Sequence, residues 1–265
     1  ANQQLNDLGA PLIAPMNILS DFARHAHEMT PYIADTAIEL DSALQAGQNV
    51  MAEAAQGTLL DLDHGTYPFV TSSSTTAPGA LPGLGLGLTA ARDAIVTGVA
   101  KAFQTRVGSG PFPTEVFGET ATRLRGTGEN PWDEFGTTTG RARRVGWLDG
   151  VLLRYATRIN GLTEMVITKL DVLSGLETLK ICTAYRANGA TLTDLPFGPS
   201  NLEPYEPVFE EFPGWREDVS AVRRWENLPR NACAYLERIA SLTGVPIRVV
   251  SVGPEREQVI TNITK

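Results

Sequence analysis

Apolar residues along this chain fall into two kinds of pattern, one recurring every three to four positions and one packed into short unbroken runs, and the two alternate. Ile33, Ala37, Leu40 and Leu44 share a face at helical spacing, which predicts an amphipathic helix over 31–46 with Gly47 as its stop. The apolar run at 49–55, ending in Gln56-Gly57, predicts a buried strand. Further helices are expected over 86–106, 149–160 and 229–243, the last closed by Gly244 and Pro246. Strands are expected over 164–169, 177–185 and 247–252. Proline and glycine crowd 195–214, where a surface excursion is expected, and no internal repeat is visible. Such alternation argues for an α/β fold, a central and mostly parallel sheet flanked by helices, whose ligands gather at the carboxyl ends of the strands.

Composition narrows the partners. A chain of 265 residues can bury one large core or two modest ones. Its formal net charge of -8 argues against non-specific nucleic-acid binding, which needs a broad basic surface. Cys182 and Cys233 stand far apart without metal-site spacing, as expected of a reduced, cytoplasmic protein. No apolar run approaches the roughly 18 residues of a membrane span, so no membrane partner is expected, and no signal peptide precedes the first motif. The opening ANQQLNDLGAPL carries neither a strong strand signal nor a clear cap, and the expectation is that polypeptide precedes Ala1.

Against the acidic background, FGTTTGRARRVGWLD at 135–149 stands out. Three threonines and Gly140 lead into Arg141, Arg143 and Arg144; threonine is poor in helix interiors, and Gly140 frees the backbone. Arg141 and Arg143 flank the small Ala142, so both are expected to project to one side of an extended loop. Guanidinium forks bind carboxylate or phosphate, which makes the loop a candidate anion clamp; the alternative is a solvated basic turn before the next helix.

Other predicted strand ends also carry polar groups. The Gln56 amide suits a base edge or a structural hydrogen bond. Asp61, Asp63 and His64 resemble a metal site, but a turn held by carboxylate and histidine hydrogen bonds is the expectation. VTSSSTT at 70–76 is either a phosphate-wrapping loop or a plain surface loop. In Thr168-Lys169-Leu170-Asp171 a carboxylate can accept from the paired ring and amino N–H groups of guanine while the lysine stem packs on the base; the alternative is a helix cap. Ser251-Val252-Gly253-Pro254 either completes that pocket or is an ordinary turn.

AAQGTLLDLDHGTYPFVTSSSTT, TRVGSGPFPTE, FGTTTGRARRVGWLD, TKLDVLSGL and LTGVPIRVVSVGP, in this order and spacing, resemble the carboxyl-terminal portion of adenylosuccinate synthetase over 31–254. The resemblance implies that 1–265 is the carboxyl-terminal portion of a single α/β domain whose sheet is incomplete without an amino-terminal half. It implies ligation of L-aspartate to inosine monophosphate with GTP and Mg2+, through a 6-phosphoryl intermediate, in a cytoplasmic homodimer. It places Gln56, Thr71, Val107 and Arg141 at the inosine nucleotide, and Thr137, Thr138, Thr139, Arg141 and Arg143 at aspartate. Arg143, Lys169, Asp171, Ser251 and Gly253 fall at GTP.

The chain also departs from the family pattern. The glycine-rich phosphate loop with its Gly-Asp-Glu-Gly-Lys core is absent, and no Gly-Lys pair occurs. His25, His27 and His64 are the only histidines, and none stands in the context of the family's catalytic one. Ser74 replaces the usual asparagine and Ala54 the usual glycine. The general base, the histidine and most Mg2+ ligands are therefore expected outside this chain, with no catalytic residue and no metal ligand within it. The alternative to a ligase portion is a non-catalytic guanine or purine nucleotide-binding fragment or interaction module.

Overall fold

The computed structural model describes residues 1–137, 139–195, 202 and 204–261, and the chain divides into two compact units. The smaller comprises 1–50 and 84–86. It holds helices α1 (Asn2–Asp7), α2 (Pro15–Met29) and α3 (Thr36–Gln45), none of which buries a residue. The Asn2 amide brackets the backbone of Ile13, and Pro15 opens α2 at the position where a missing N–H costs nothing. The helix expected over 31–46 is shorter at its start. Asp35 accepts from the Ile38 N–H at 3.2 Å and caps α3, which leaves Pro31 in a separate 3-10 turn, Thr30–Tyr32.

The larger unit comprises 51–83 and 87–265. Its elements are α4 (Ala80–Leu84, whose last residue falls in the smaller unit), β1 (Thr97–Lys101), β2 (Gln104–Arg106), α5 (Gly118–Arg125), β3 (Arg144–Gly146), β4 (Leu148–Asp149), α6 (Gly150–Asn160), β5 (Glu164–Thr168), β6 (Thr178–Ala187), β7 (Ala190–Leu192), β8 (Glu206–Pro213), α7 (Arg230–Thr243), β9 (Ile247–Ser251) and β10 (Val259–Thr261). The main sheet runs β1-β5-β9-β10, parallel across its first three strands and antiparallel at β10. A second sheet is built on β6, parallel to β4 and antiparallel to β7 and β8, and β2 and β3 form an antiparallel ribbon.

α7 presents Ala232, Tyr235, Leu236 and Ile239 at helical spacing to a core that includes Phe103, Ile167 and Val250. The Tyr235 hydroxyl donates to the Ala102 carbonyl at 2.7 Å, satisfying a polar group that would otherwise be buried unpaired. A smaller cluster gathers Val151, Leu152, Cys182, Tyr185, Leu195 and Leu202. Within it Asp149, fully buried, caps α6 by accepting from Val151 and Leu152 and takes the Tyr185 hydroxyl at 2.6 Å. Burial pushes its carboxyl up to about 6 against the pull of those hydrogen bonds.

Three expectations are overturned. The helix expected over 86–106 is a 3-10 turn, Leu88–Ala91, followed by β1 and β2, because Val96, Thr97 and Val99 are β-branched and Gly98 is a poor helix former, and the pairing of β1 with β5 prevails. The strand expected over 49–55 is irregular, and Met51 is 87% exposed; among the described residues no strand supplies a ladder for it. The excursion expected over 195–214 ends in β8, which pairs with β6 from Glu206 to Pro213. Pro207 and Pro213 are tolerated because among the described residues β8 pairs with β6 alone and so lies at a sheet edge. Residues 196–201 and 203 of that stretch lie outside the described residues.

Candidate functional site

Parallel pairing brings the carboxyl ends of β1, β5 and β9 side by side, in register at Lys101↔Thr168 and Ile167↔Val250. Lys101 ends β1, Lys169 follows β5, and Ser251 ends β9. The ammonium groups of Lys101 and Lys169 converge on one oxygen of Glu134, at 2.7 and 2.6 Å. Arg143 donates to the other oxygen at 2.8 Å. Glu134 is completely buried; burial alone would raise its carboxyl, but hydrogen bonds from Lys101 and Lys169 and the charges of both hold it at about 2. Burial in turn pushes the Lys101 ammonium down, and Glu134 opposes that shift.

The threonine loop is tied to the same carboxylate residue. Arg143 N–H donates to the Glu134 carbonyl, Phe135 bridges Ala142, and Gly136 and Arg141 bond across the turn. Gly140 occupies the left-handed region at φ +61°, which closes the loop without a Cβ penalty. Thr137, Thr139 and Arg141 are exposed, while Thr138 lies outside the described residues. Among the described residues no hydrogen-bond partner meets the Arg141 guanidinium, whereas Arg143 is half-buried against Glu134. The two arginines thus differ in their surroundings. Nor is Arg144 part of an anion clamp: Glu115 takes its guanidinium in a bidentate pair, and Gly110 carbonyl accepts from it at 2.8 Å.

The positions expected at guanine lie at the ends of β5 and β9. Lys169 sits at φ +61°, a conformation rare for a residue with a side chain, and its ammonium also donates to the Trp132 carbonyl at 2.6 Å. Leu170 N–H donates to the Ser251 carbonyl, which seats Asp171 beside the turn that follows β9. Burial raises the Asp171 carboxyl above its ordinary value, with its own N–H and Lys169 opposing, and among the described residues no other group donates to it. Ser251 hydroxyl donates to the Gly253 carbonyl at 2.9 Å, and Gln258 braces the turn through its backbone carbonyl and the Val252 N–H.

The segment with Gln56 and Thr71 is organised around Asp61, which is 1% exposed. One oxygen of its carboxylate accepts from the N–H groups of Asp63 and His64, and the other from Ser74 hydroxyl and the N–H groups of Thr75 and Thr76. Burial raises this carboxyl, yet these donors outweigh it and hold it at about 2. A Cβ at Gly65 would lie 2.4 Å from the Asp61 carbonyl oxygen, so only glycine allows the turn to close. The expected turn is found, held by the Asp61 carboxylate, with His64 taking part through its backbone N–H and carbonyl. Among the described residues no group of three or more His, Cys, Asp or Glu could hold a metal ion.

Asn160 on α6 donates to Thr58 hydroxyl and accepts from Ala77 N–H, and Tyr155 hydroxyl donates to the His64 carbonyl. The segment thereby lies along α6. Arg106 donates to Thr66 hydroxyl at 3.2 Å, which brings Val107, 63% exposed, toward the same segment. Because Arg106 pairs with Arg144 across the ribbon, Val107 and Arg143 leave it at the same end. Gln56 is exposed with φ +74°, and Thr71 is half-buried with its N–H on the Leu60 carbonyl. Lys101 and Glu134 escape the sequence patterns. Lys101 falls inside the stretch expected to be helical, and its signal is a lone charge ending the β-branched run TGVAK. Nothing in local sequence separates Glu134 from its acidic neighbour Asp133.

The class defined here is an α/β protein with charged and polar side chains collected at the carboxyl ends of parallel strands. The family model of adenylosuccinate synthetase matches residues 1–260. The adenylosuccinate synthetase of Desulforudis audaxviator (strain MP104C) is 52% identical over 95% of this chain and 57% of its own length. That of Moorella thermoacetica (strain ATCC 39073 / JCM 9320) is 53% identical over 92% of this chain and 56% of its length. The fully ligated adenylosuccinate synthetase of Plasmodium falciparum, 36% identical, superposes with a TM-score of 0.86, covering 97% of this chain and 60% of that one. The chain belongs to the adenylosuccinate synthetase family, and it spans a little over half the length of these curated relatives.

Proposed function

We propose that this chain, as part of a longer enzyme, binds the substrates for GTP-dependent ligation of L-aspartate to inosine monophosphate, giving adenylosuccinate. The observation that carries it is the row of strand ends at β5 and β9, where the half-buried Asp171 carboxylate lacks a donor from any other described residue beside the Ser251–Gly253 turn. A carboxylate so placed accepts the ring and amino N–H pair of guanine, with the Lys169 stem along the base and Ser251 and Gly253 at its edge. Adenine has no such donor pair.

Gln56, Thr71 and Val107 address the inosine nucleotide, and Arg141 reaches both that nucleotide and aspartate. Thr137, Thr138, Thr139 and Arg143 clamp the aspartate carboxylates, and Arg143 also faces GTP. In the reaction O6 of the inosine ring attacks the γ-phosphorus of GTP, releasing GDP; the aspartate amino group then displaces phosphate at C6. Mg2+ would neutralise the GTP phosphates when bound. Its ligands, the general base and the phosphate cradle belong to segments other than those described here. A homodimer and a cytoplasmic location are part of the same proposal.

The test is to supply GTP, inosine monophosphate, L-aspartate and Mg2+ to the intact protein and follow adenylosuccinate formation by absorbance, with ATP in place of GTP as the control. GTP-dependent product formation is expected. Turnover supported equally by ATP would remove Asp171 from guanine selection, and absence of product would overturn the assignment.

A further inference from the structure

Glu134 lies between the residues assigned above to two different substrates. Its carboxylate, entirely buried, is shared by Arg143 from the threonine loop, Lys169 from the end of β5 and Lys101 from the end of β1. Three cations around one anion leave a surplus of two positive charges in a half-buried site, an arrangement that calls for anionic ligands. Arg143 supports this: among the described residues its guanidinium is anchored on Glu134 through one nitrogen, and its buried Nε meets no hydrogen-bond partner, so the group is not saturated. Lys169, by contrast, is pinned at its tip by Glu134 and the Trp132 carbonyl, which fixes the course of its stem. One carboxylate thus holds both an arginine assigned above to aspartate, whose guanidinium is not saturated, and a lysine assigned above to the base.

We propose that Glu134 is a positioning residue that aligns the amino-acid clamp and the guanine pocket together, acting through Arg143 and Lys169. The proposal rests on the substrate assignment given above. Glutamine at this position would turn an NH2 group toward Arg143 or toward the two lysines, and it would remove the negative charge that all three cations share, so Arg143 and Lys169 would both lose their anchor. The inosine nucleotide should escape the effect, since among the described residues no hydrogen bond or ion pair joins Glu134 to Gln56, Thr71, Val107 or the Arg141 side chain.

The experiment is steady-state kinetics of wild type and Glu134→Gln in the intact protein, with GTP affinity also measured by calorimetric titration in the absence of the other substrates. KM for aspartate and KM for GTP should each rise about tenfold, as should the calorimetric Kd for GTP, while KM for inosine monophosphate stays within about twofold. A fall in kcat with all KM values unchanged would mark Glu134 as structural only and overturn the proposal. So would an equal rise in all three, or a rise for one of the pair alone. Should Glu134→Gln fail to fold, Glu134→Asp keeps the charge and shortens the reach; a common rise for aspartate and GTP supports the proposal, and a change in one alone overturns it. A wild type that forms no adenylosuccinate brings down the substrate assignment, whereas an active wild type with unchanged GTP affinity in the variant removes Glu134 alone.

Discussion

Replacing Asp61 by Asn should destabilise the protein in a way that depends on pH. Five donors converge on the two oxygens of this nearly inaccessible carboxylate, two on one side and three on the other. Asparagine offers a single acceptor oxygen, and its NH2 group would face either the pair or the triplet, leaving donors opposed to donors. The carboxyl is held at about 2 in the folded protein, nearly two pH units below its ordinary value, which corresponds to ~2.5 kcal/mol of stability carried by the ionised form. Leaving donors unsatisfied costs about 1–3 kcal/mol, so the two routes agree on a loss of ~2–3 kcal/mol near neutral pH. Because the folded value is depressed, that stability is fully present above about pH 4 and is lost as pH falls toward 2. Urea denaturation followed by tryptophan fluorescence, run from pH 7 to pH 3, should therefore show the gap between wild type and variant widest at pH 7 and shrinking at the acid end. A gap under about 0.5 kcal/mol at pH 7, or one constant across the range, would refute the account of Asp61 as the hub of this turn.

Asp171→Asn should weaken GTP binding by about 1–3 kcal/mol and relax selection against other nucleotides, as read by competition titration; unchanged GTP affinity would remove Asp171 from the site. Arg143→Leu should raise KM for aspartate well above any rise for GTP, and Arg141→Leu should raise KM for aspartate and inosine monophosphate together. An effect of Arg143→Leu confined to GTP would reassign the loop. Asp149 runs opposite in sign to Asp61: its folded carboxyl lies near 6, above the ordinary 3.8, so its contribution is full below about pH 4 and declines by ~3 kcal/mol as pH rises through 6. Asp149→Asn, which still caps α6, should flatten the stability profile between pH 4 and 6 in the same urea assay.

Where one stretch of chain satisfies its own backbone, sequence was sufficient. Asp149 as cap and Gly161 as left-handed stop delimit α6, Gly244 closes α7, and the alternating run EMVIT forms β5. The Asp61 turn was legible for the same reason, since most of its donors lie within a few residues or in the hydroxyl-rich loop just beyond. Long motifs likewise identified the family without any structure. Tertiary pairing decided the rest. β1 is a strand because β5 and the core lie against it, although its flanks suited a helix, and β8 tolerates its prolines because among the described residues only β6 pairs with it. At the site, sequence named Arg143, Lys169 and Asp171 but could not say that Arg144 would be consumed by Glu115, or that Glu134 would join Lys101, Lys169 and Arg143 across separations of up to 35 positions. Local pattern records what a residue can do with its near neighbours. Only parallel pairing, which sets the carboxyl ends of β1, β5 and β9 side by side, determines which distant charges must share one buried carboxylate.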